Sequence, residues 1–387
     1  MNFVEIRCMA GIYIHIPFCK QACHYCDFHF STSMKYKDEM INALLLEIEL
    51  RRNYLKREPI DTIYFGGGTP SIIPTKDIDA ILKKIHQLFE VSSSVEVTLE
   101  ANPDDLNKDF IKSIYQNGVN RLSIGVQSFV NRDLEWMNRA HHANEAIDCI
   151  RRAQDIGIEN ISIDLIYGTP GLSDSEWKDN IHKALELSVP HISSYALTVE
   201  TKTALGNWVE KGKVKPMDEE QAAAQFEMLM EELISNGFEH YEISNFAKPG
   251  FHSKHNSSYW EGKTYLGIGP SAHSFDKTSR QWNINNNHKY IDDIVRGNLP
   301  MQMEILKLND RFNEYLMVGF RTAKGISTEY IANEFGSDAL HQLEKSIVEF
   351  TNKAWVKFEN GYYKTTSAGK LMADKIAAEL FIIDNIE

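Results

Sequence analysis

The sequence predicts an α/β fold, in which a partial (β/α)6 barrel is followed by a small α+β domain of the winged-helix type. Three observations support this prediction. Apolar or β-branched runs alternate with longer amphipathic segments from residue 11 to about residue 200. The repeat is roughly 30 to 40 residues long, as expected for β-α units with parallel strands. Beyond residue 298 the composition changes, and predicted helices surround a hairpin.

Six strands and their helices make up the predicted barrel. The strands are predicted at residues 11–18, 62–65, 95–100, 121–126, 161–167 and 191–197. Helical spacing of apolar residues predicts helices at 36–54, 78–89, 105–116, 143–156 and 176–187, with a further helix at 218–235. Six units rather than eight indicate an open barrel. In β/α barrels the chemistry collects at the C-terminal ends of the strands.

The remaining segments complete a four-part division of the chain. Residues 1–10 are interpreted as an N-terminal extension, 11–240 as the barrel, 241–297 as a barrel-associated loop region and 298–387 as the C-terminal domain. Residues 248–290 show little periodicity, which predicts a long functional loop. Helices are predicted at 307–321, 327–334, 338–349 and 367–380, and a hairpin with an Asn-Gly turn at 355–365.

Composition excludes several classes of function. The net charge of −13 argues against a dedicated nucleic-acid binder. For the same reason it disfavours a DNA-binding winged-helix regulator that would sense its signal through a metal cluster. No apolar run approaches the roughly 20 residues that span a bilayer, and no signal peptide is visible. Five cysteines, of which Cys8 and Cys149 have no evident partner, suit a reducing compartment. We therefore expect a cytoplasmic protein without an integral membrane segment.

A group of three cysteines directly follows the first predicted strand. Cys19, Cys23 and Cys26 have the spacing C-x-x-x-C-x-x-C on a short loop. Zinc would normally take a fourth protein ligand, and none lies nearby in sequence. A cubane iron–sulfur cluster held by three cysteines keeps one iron open for another ligand. The spacing favours such a cluster over incidental cysteines or half of a zinc site.

The residues around these cysteines resemble a known family. Tyr-Ile-His-Ile-Pro-Phe-Cys, ending at Cys19, and the following C-x-x-x-C-x-x-C-x-Phe are similar to the radical S-adenosylmethionine (SAM) superfamily. Within it, they resemble the branch that contains oxygen-independent coproporphyrinogen III oxidase and the heme-chaperone family HemW. The resemblance implies a six-unit barrel, a [4Fe–4S] cluster and SAM as cofactors.

The same resemblance assigns the SAM site to residues near the strand ends. A Gly-rich turn allows close backbone approach and offers N–H groups, and in this branch it binds the SAM amino group. Tyr25 and Phe28 flank the cysteines and are predicted to pack against cluster and adenine, with plain loop packing as the alternative. The implied SAM-binding residues are Tyr13, Gly66, Gly67, Gly68, Thr69, Glu100, Gln127, Arg139 and Asp164.

A second motif lies far downstream. His255, Asn256, Tyr259 and Trp260 form HNxxYW, which resembles a heme-handling motif of the heme chaperones. A histidine among aromatic residues suits an axial heme ligand, but the spacing alone favours a hydrogen-bonded structural histidine, and only the resemblance ranks His255 first as the ligand. His252 and His273 lie close enough in sequence to serve instead.

Two departures separate the members of the branch. Phe28 stands where the oxidase generally has a fourth cysteine, and ten residues precede Gly11 where the oxidase has a substantial segment. The resemblance therefore implies a heme chaperone that hands heme to acceptor hemoproteins, with membrane respiratory enzymes as the family precedent. The alternative is coproporphyrinogen III oxidase, which removes two propionate carboxyls. No catalytic residue is assigned.

Overall fold

The computed structural model describes residues 9–382, so Cys8 and most of the predicted N-terminal extension lie outside the described part. The chain divides into two compact units. The first contains the chain up to Gly237 together with Lys248–Glu304, and the second contains Phe238–Ala247 together with the chain from Ile305 onward.

The first unit contains the six predicted β-α units. Its parallel strands β1 (Ala10–Ile16), β2 (Ile60–Gly67), β3 (Val91–Ala101), β4 (Arg121–Gln127), β5 (Asn160–Tyr167) and β6 (His191–Ala196) are neighbours in this order. The intervening helices are α1 (Lys37–Leu50), α2 (Thr75–Leu88), α3 (Lys108–Gln116), α4 (Asn131–Trp136), α5 (Ala143–Ile156) and α6 (Asp174–Glu186), followed by α7 (Ala204–Glu210) and α8 (Glu219–Ser235). The predicted α/β fold is confirmed.

The prediction of a loop region at 248–290 was wrong. After β7 (Glu239–Glu242) and β8 (Asn245–Ala247), which belong to the second unit, the chain forms α9 (Lys254–Trp260), β9 (Tyr265–Ile268), β10 (His273–Phe275), β11 (Ser279–Asn283), α10 (Asn287–Val295) and β12 (Met301–Ile305). Strand β9 pairs in parallel with β1, and β10 and β11 continue the sheet in antiparallel fashion. These strands are three to five residues long, too short to show a clear alternation.

Side chains alternate between two faces along β1–β6. On β1, Ile12, Ile14 and Ile16 are fully buried on one face, while Tyr13 and His15 lie on the other. Contacts between neighbouring strands join the polar face: the Tyr64 hydroxyl donates to Glu100 Oε1 at 2.8 Å, and Ser162 Oγ is hydrogen-bonded to His191 at 2.7 Å. Burying polar groups inside a sheet is costly unless they are hydrogen-bonded, as these two pairs are. The residues of this face are Tyr13, His15, Thr62, Tyr64, Glu96, Thr98, Glu100, Arg121, Ser123, Ser162, Asp164, His191 and Ser193.

The second unit has its own apolar core. Helices α11 (Leu308–Arg321), α12 (Thr328–Phe335), α13 (Ser337–Ser346), α14 (Val348–Asn352), α15 (Ser367–Lys370) and α16 (Ala373–Glu379) accompany a sheet of β13 (Ile326–Ser327), β15 (Tyr362–Thr365) and β14 (Val356–Glu359). The core includes Phe312, Leu316, Phe320 and Phe350. The β14–β15 turn places Asn360 and Gly361 at positive φ, as a hairpin of this type requires.

The boundaries of this unit differ from the sequence-based division at residues 240 and 298. Residues 238–247 join it because Ile243 N–H donates to the Arg321 carbonyl at 2.9 Å and Ala323 N–H donates to the Tyr241 carbonyl at 3.0 Å. The last predicted helix, 367–380, is two helices, α15 and α16. Among residues 9–382, no helix is both long and apolar enough to cross a membrane.

Candidate cluster and cofactor site

The cysteine loop leaves the end of β1 and returns to it. Cys19 N–H donates to the Ser31 carbonyl at 3.0 Å, so the base of the loop is closed. Its far side is held to the segment after α4 by a reciprocal pair of bonds. Gln21 Nε2 donates to the Asn138 carbonyl and Asn138 Nδ2 donates to the Ala22 carbonyl, both at 2.8 Å. These bonds join the far side of the cysteine loop to the segment after α4.

The three thiols of the loop are free and half-buried. Thr69 Oγ1 donates to Cys19 Sγ at 3.5 Å, and Arg139 Nη1 donates to Cys23 Sγ at 3.4 Å. Burial raises the pKa of Cys19, and it raises the pKa of Cys26 to about 11. Thiols that are hydrogen-bonded but disfavoured as free thiolates suit a metal, which itself stabilises the deprotonated form.

The three thiols of the loop are candidate ligands of an iron–sulfur cluster. Within residues 9–382, no three His, Cys, Asp or Glu side chains surround one point as the ligands of a single metal ion do. In an iron–sulfur cluster each thiolate binds a different iron, so the sulfurs need not converge. Hydrogen bonds to the sulfurs are among the features that tune such clusters. Three thiols, each able to bind a different iron, are a donor set that fits an iron–sulfur cluster.

Arg139 connects the cysteine loop to the strand ends. Its Nη2 donates to Asn102 Oδ1 and to the Gly125 carbonyl, both at 2.8 Å. A Cβ at Gly125 would lie 2.9 Å from Gln127 Nε2 and 3.0 Å from Arg139 Nη2. Both side chains therefore pack directly against Gly125, where a larger residue would leave too little space. Gln127 reaches this position with φ +66°, which is unusual for a non-glycine residue. Arg139 Nε is buried and has no partner among the described residues.

The Gly-rich turn after β2 is packed closely against β1. A Cβ at Gly68 would lie 2.5 Å from the Phe18 carbonyl oxygen, so only glycine fits. Gly68 N–H donates to the Ile16 carbonyl at 2.8 Å and Thr69 N–H donates to the Phe18 carbonyl at 2.7 Å. The N–H groups expected to be exposed are therefore used inside the protein. An ammonium ligand needs acceptors, which leaves the carbonyl groups of the turn for this role.

Two buried carboxyl groups lie on the polar face. Burial raises the pKa of Glu100 to about 7, with the Tyr64 hydrogen bond acting in the opposite direction. Burial raises the pKa of Asp164 to about 6, and Arg121 and Arg139 act against this shift. The negative charge of Asp164 adds to the rise in the pKa of Glu100. A cationic group of a ligand would be stabilised here at neutral pH.

The two aromatic residues of the loop have different surroundings. Tyr25 packs with Met137, Ile166 and Leu205 in a small apolar cluster. Phe28 is 71% exposed. The structure therefore places Tyr25, but not Phe28, in an apolar interior. Phe28 offers its ring to the surface of the loop.

The HNxxYW motif lies on α9, against the strands. His255 is 1% exposed, and both of its ring nitrogens are used: Nδ1 is hydrogen-bonded to Thr62 Oγ1 at 2.7 Å and Nε2 to the Tyr259 hydroxyl at 2.8 Å. Its ring stacks on Tyr64 at 4.9 Å. Burial lowers the pKa of His255 to about 3. The histidine is thus neutral and fully hydrogen-bonded in this structure.

The other members of the motif are less enclosed. Asn256 and Tyr259 are half-buried, and Trp260 has a buried Nε1 without a partner among the described residues. Of the two substitute histidines, His252 precedes α9 and His273 is exposed on β10, where its ring stacks on Trp282 at 6.2 Å.

Sequence reasoning assigned no role to three residues of this site. Tyr64 bonds Glu100, Asn102 bonds Arg139, and Arg121 is 1% exposed with Nε and Nη1 unpartnered among the described residues. For Tyr64 and Arg121, the alternation of side chains along a strand could have predicted their place in the site. Tyr64 is two residues before Gly66, and Arg121 occupies the same face of β4 as Gly125, so both share a face with predicted site residues.

Comparisons with known proteins agree with the fold. Residues 13–184 match the family model described as "Radical SAM superfamily", and residues 306–372 match the one described as "HemN C-terminal domain". The chain is 34% identical to the heme chaperone HemW of Bacillus subtilis over 371 residues, which cover 95% of this chain and 98% of that protein. The chain belongs to the HemW family. This confirms the family resemblance predicted from the sequence.

A second relative supports the same family, and a solved structure shares the fold. The heme chaperone HemW of Lactococcus lactis is 33% identical and covers 97% of each chain. The structure of coproporphyrinogen III oxidase (HemN) from Escherichia coli, described as a radical SAM enzyme, matches 97% of this chain and 90% of that one with a TM-score of 0.85. At 20% identity, this likeness shows a shared fold alone.

Proposed function

We propose that this HemW-family protein is a cytoplasmic heme chaperone with a radical-SAM core. It binds a [4Fe–4S] cluster, SAM and heme, and it delivers heme to acceptor hemoproteins. The observation that carries the proposal is the similarity to the heme chaperone of Bacillus subtilis over 95% of this chain. The three-thiol loop and the polar strand face also support the proposal, because their side chains suit the cofactors of this family.

The cofactor roles follow from the chemistry of each side chain. Cys19, Cys23 and Cys26 each hold one iron. Once bound, the cluster and SAM supply one-electron chemistry at a carbon–sulfur bond. Arg139 pairs with the SAM carboxylate through its guanidinium. The carbonyls of the Gly66–Gly67–Gly68–Thr69 turn and Glu100 accept from the SAM ammonium, and Tyr13, Tyr25, Gln127 and Asp164 contact the remainder.

The heme role of α9 remains a prediction. His255, Asn256, Tyr259 and Trp260 are assigned to heme by resemblance. In the described conformation, iron could bind His255 only by displacing Thr62 or Tyr259 from the ring. Leaving a buried hydroxyl unpaired costs about 1–3 kcal/mol, which iron binding would have to offset.

The alternative function is oxygen-independent coproporphyrinogen III oxidase. Its support is the shared fold with the E. coli oxidase. Phe28, at the position where that enzyme generally carries a fourth cysteine, argues against it. The two functions differ in what happens to a porphyrin: a chaperone holds heme unchanged, whereas the oxidase removes carboxyl groups from coproporphyrinogen.

The test is anaerobic reconstitution of the cluster in the full chain, followed by two assays on one sample. The first titrates heme and follows its absorbance. The second supplies coproporphyrinogen III, SAM and reductant, and analyses the porphyrin by mass. We expect about one heme per chain and no loss of carbon dioxide. Decarboxylated product, or no heme binding, would contradict the proposal.

A further inference from the structure

His29 lies on the returning half of the cysteine loop and has one ring nitrogen free. Its Nε2 is 2.7 Å from Asn287 Oδ1, and because an amide oxygen only accepts, Nε2 carries the proton and donates it. In neutral imidazole the other nitrogen, Nδ1, is then an unprotonated acceptor. Nδ1 has no partner among residues 9–382. It is available to a metal.

This bonding pattern is typical of metal-binding histidines. Such a histidine donates its second ring N–H to a carboxylate or carbonyl oxygen, which fixes the tautomer and the ring orientation. The backbone of His29 is also held, since its carbonyl accepts from His15 Nε2 at 2.9 Å. The two imidazole rings stack with centroids 6.0 Å apart. His29 is thus oriented before any ligand binds.

The surroundings of His29 suit a flat apolar ligand that carries negative charge. Phe28, its neighbour in sequence, is 71% exposed. His288, which follows the Asn287 that binds His29, is exposed and packs edge-to-face on Tyr36 at 4.3 Å. Lys35 Nζ lies 5.1 Å from the Tyr36 ring and forms no ion pair within the described range. Aromatic surface and a free ammonium group match the ring and propionates of heme.

Three other histidines of the first unit lack this combination. His255 and His15 have both ring nitrogens hydrogen-bonded. His24 lies on the same loop and donates Nδ1–H to the Trp136 carbonyl at 2.7 Å, but its ring is covered by Trp208 at 4.5 Å. Only the ring of His29 combines a fixed N–H, an unpartnered nitrogen and an adjacent exposed aromatic side chain among these four.

We propose that His29 is an axial ligand of the iron in bound heme, and that Phe28 contacts the porphyrin face. This inference rests on the proposed function and gives it a ligand different from the one that the sequence motif suggests. The bond formed is an Nδ1–iron coordinate bond, with no change of oxidation state. Lys35 pairs with a propionate.

The experiment compares heme titrations of the full, cluster-reconstituted chain and its variants. We expect His29→Ala to bind heme at least about tenfold more weakly and to lose the absorbance and spin state of a histidine-ligated iron. Added imidazole should restore that spectrum. His24→Ala is the matched control, a histidine of the same loop with the same type of bond, and it should keep the wild-type spectrum and affinity.

A second variant guards against a damaged loop. His29→Gln keeps a side-chain N–H donor near Asn287, and it should lose the ligand spectrum while retaining iron content and circular dichroism. A wild-type spectrum in both His29 variants, or imidazole rescue of His24→Ala instead, would overturn the assignment while heme binding itself stands. A wild-type chain that binds no heme would instead contradict the proposed function.

Discussion

The cysteine loop and helix α9 belong to the same compact unit and each carry a histidine, but the hydrogen bonding of the two imidazole rings differs. His255 on α9 is 1% exposed and uses both ring nitrogens, as a structural residue does. His29 on the loop is half-buried and uses one. The histidine of the HNxxYW motif thus bonds to Thr62 of β2, while the histidine with an available nitrogen lies on the cysteine loop.

Tyr64 contacts both the strand residues of the predicted SAM site and helix α9. Its hydroxyl donates to Glu100 of β3, and its ring stacks on His255 of α9. A substitution near the cysteines or the SAM site that leaves the packing of α9 intact, or the reverse, therefore tests whether these regions have separate functions.

The largest effect is expected from the loop cysteines. Cys23→Ala removes the ligand of one iron and the acceptor of the Arg139 bond, so iron content should fall to background. The packing around α9 should remain. The measurement is iron per chain after reconstitution, with circular dichroism for folding. Cys149→Ala, at a fully buried free thiol on α5, is the control and should retain iron. Full iron content in Cys23→Ala would refute the cluster assignment.

The next effect concerns α9. His255→Ala leaves Thr62 and Tyr259 without their partner and opens a cavity beside Tyr64, so we expect a loss of about 2–4 kcal/mol in the free energy of unfolding. Urea unfolding measures it. His29→Ala, at a half-buried loop position, should cost less than about 1 kcal/mol. Equal losses in both variants would remove the contrast between the two histidines.

The third effect is a pH dependence on the SAM side. The pKa of Glu100 is raised from 4.5 to about 7, so the folded state holds this proton more tightly than the unfolded state. The resulting stability is fully present below pH 4.5 and is lost as pH rises through about 7. Glu100→Gln, which cannot ionise, should therefore be more stable than wild type at pH 8, by an amount on the order of 3 kcal/mol.

Unfolding by urea between about pH 5 and pH 8 checks this expectation, since the linkage acts across that range. The stability difference between Glu100→Gln and wild type should grow with pH. Glu159→Gln, at an exposed residue of the same unit, should show no such growth. A difference independent of pH would show that the buried Glu100 carboxyl is not the titrating group.

The smallest effect is expected from Arg139→Lys. A lysine cannot donate to Cys23, Asn102 and Gly125 and also pair with a carboxylate as the guanidinium fork does. SAM affinity should fall about tenfold, with iron content retained. Calorimetric titration of SAM measures this, and Arg152→Lys on the outer surface of α5 is the control. Unchanged affinity would remove Arg139 from the SAM site.

Much of this architecture could be predicted from local patterns. The six strands are visible as apolar or β-branched runs, and the three cysteines directly after the first run predict the position of the loop. Strands β9–β11 could not be predicted, because they are short and depend on pairing with β1. Likewise, the bonded state of His255 depends on Thr62 in another element, and the left-handed φ of Gln127 is set by its surroundings.

The central claim is that the chain carries heme intact and passes it on. The most direct measurement mixes the reconstituted chain, loaded with one heme, with a heme-free respiratory enzyme and follows the heme absorbance of each protein after separation. We predict that heme leaves this chain and appears in the acceptor, chemically unchanged, as the acceptor's activity rises. Heme that stays on the chain while free heme loads the acceptor equally well would contradict the account.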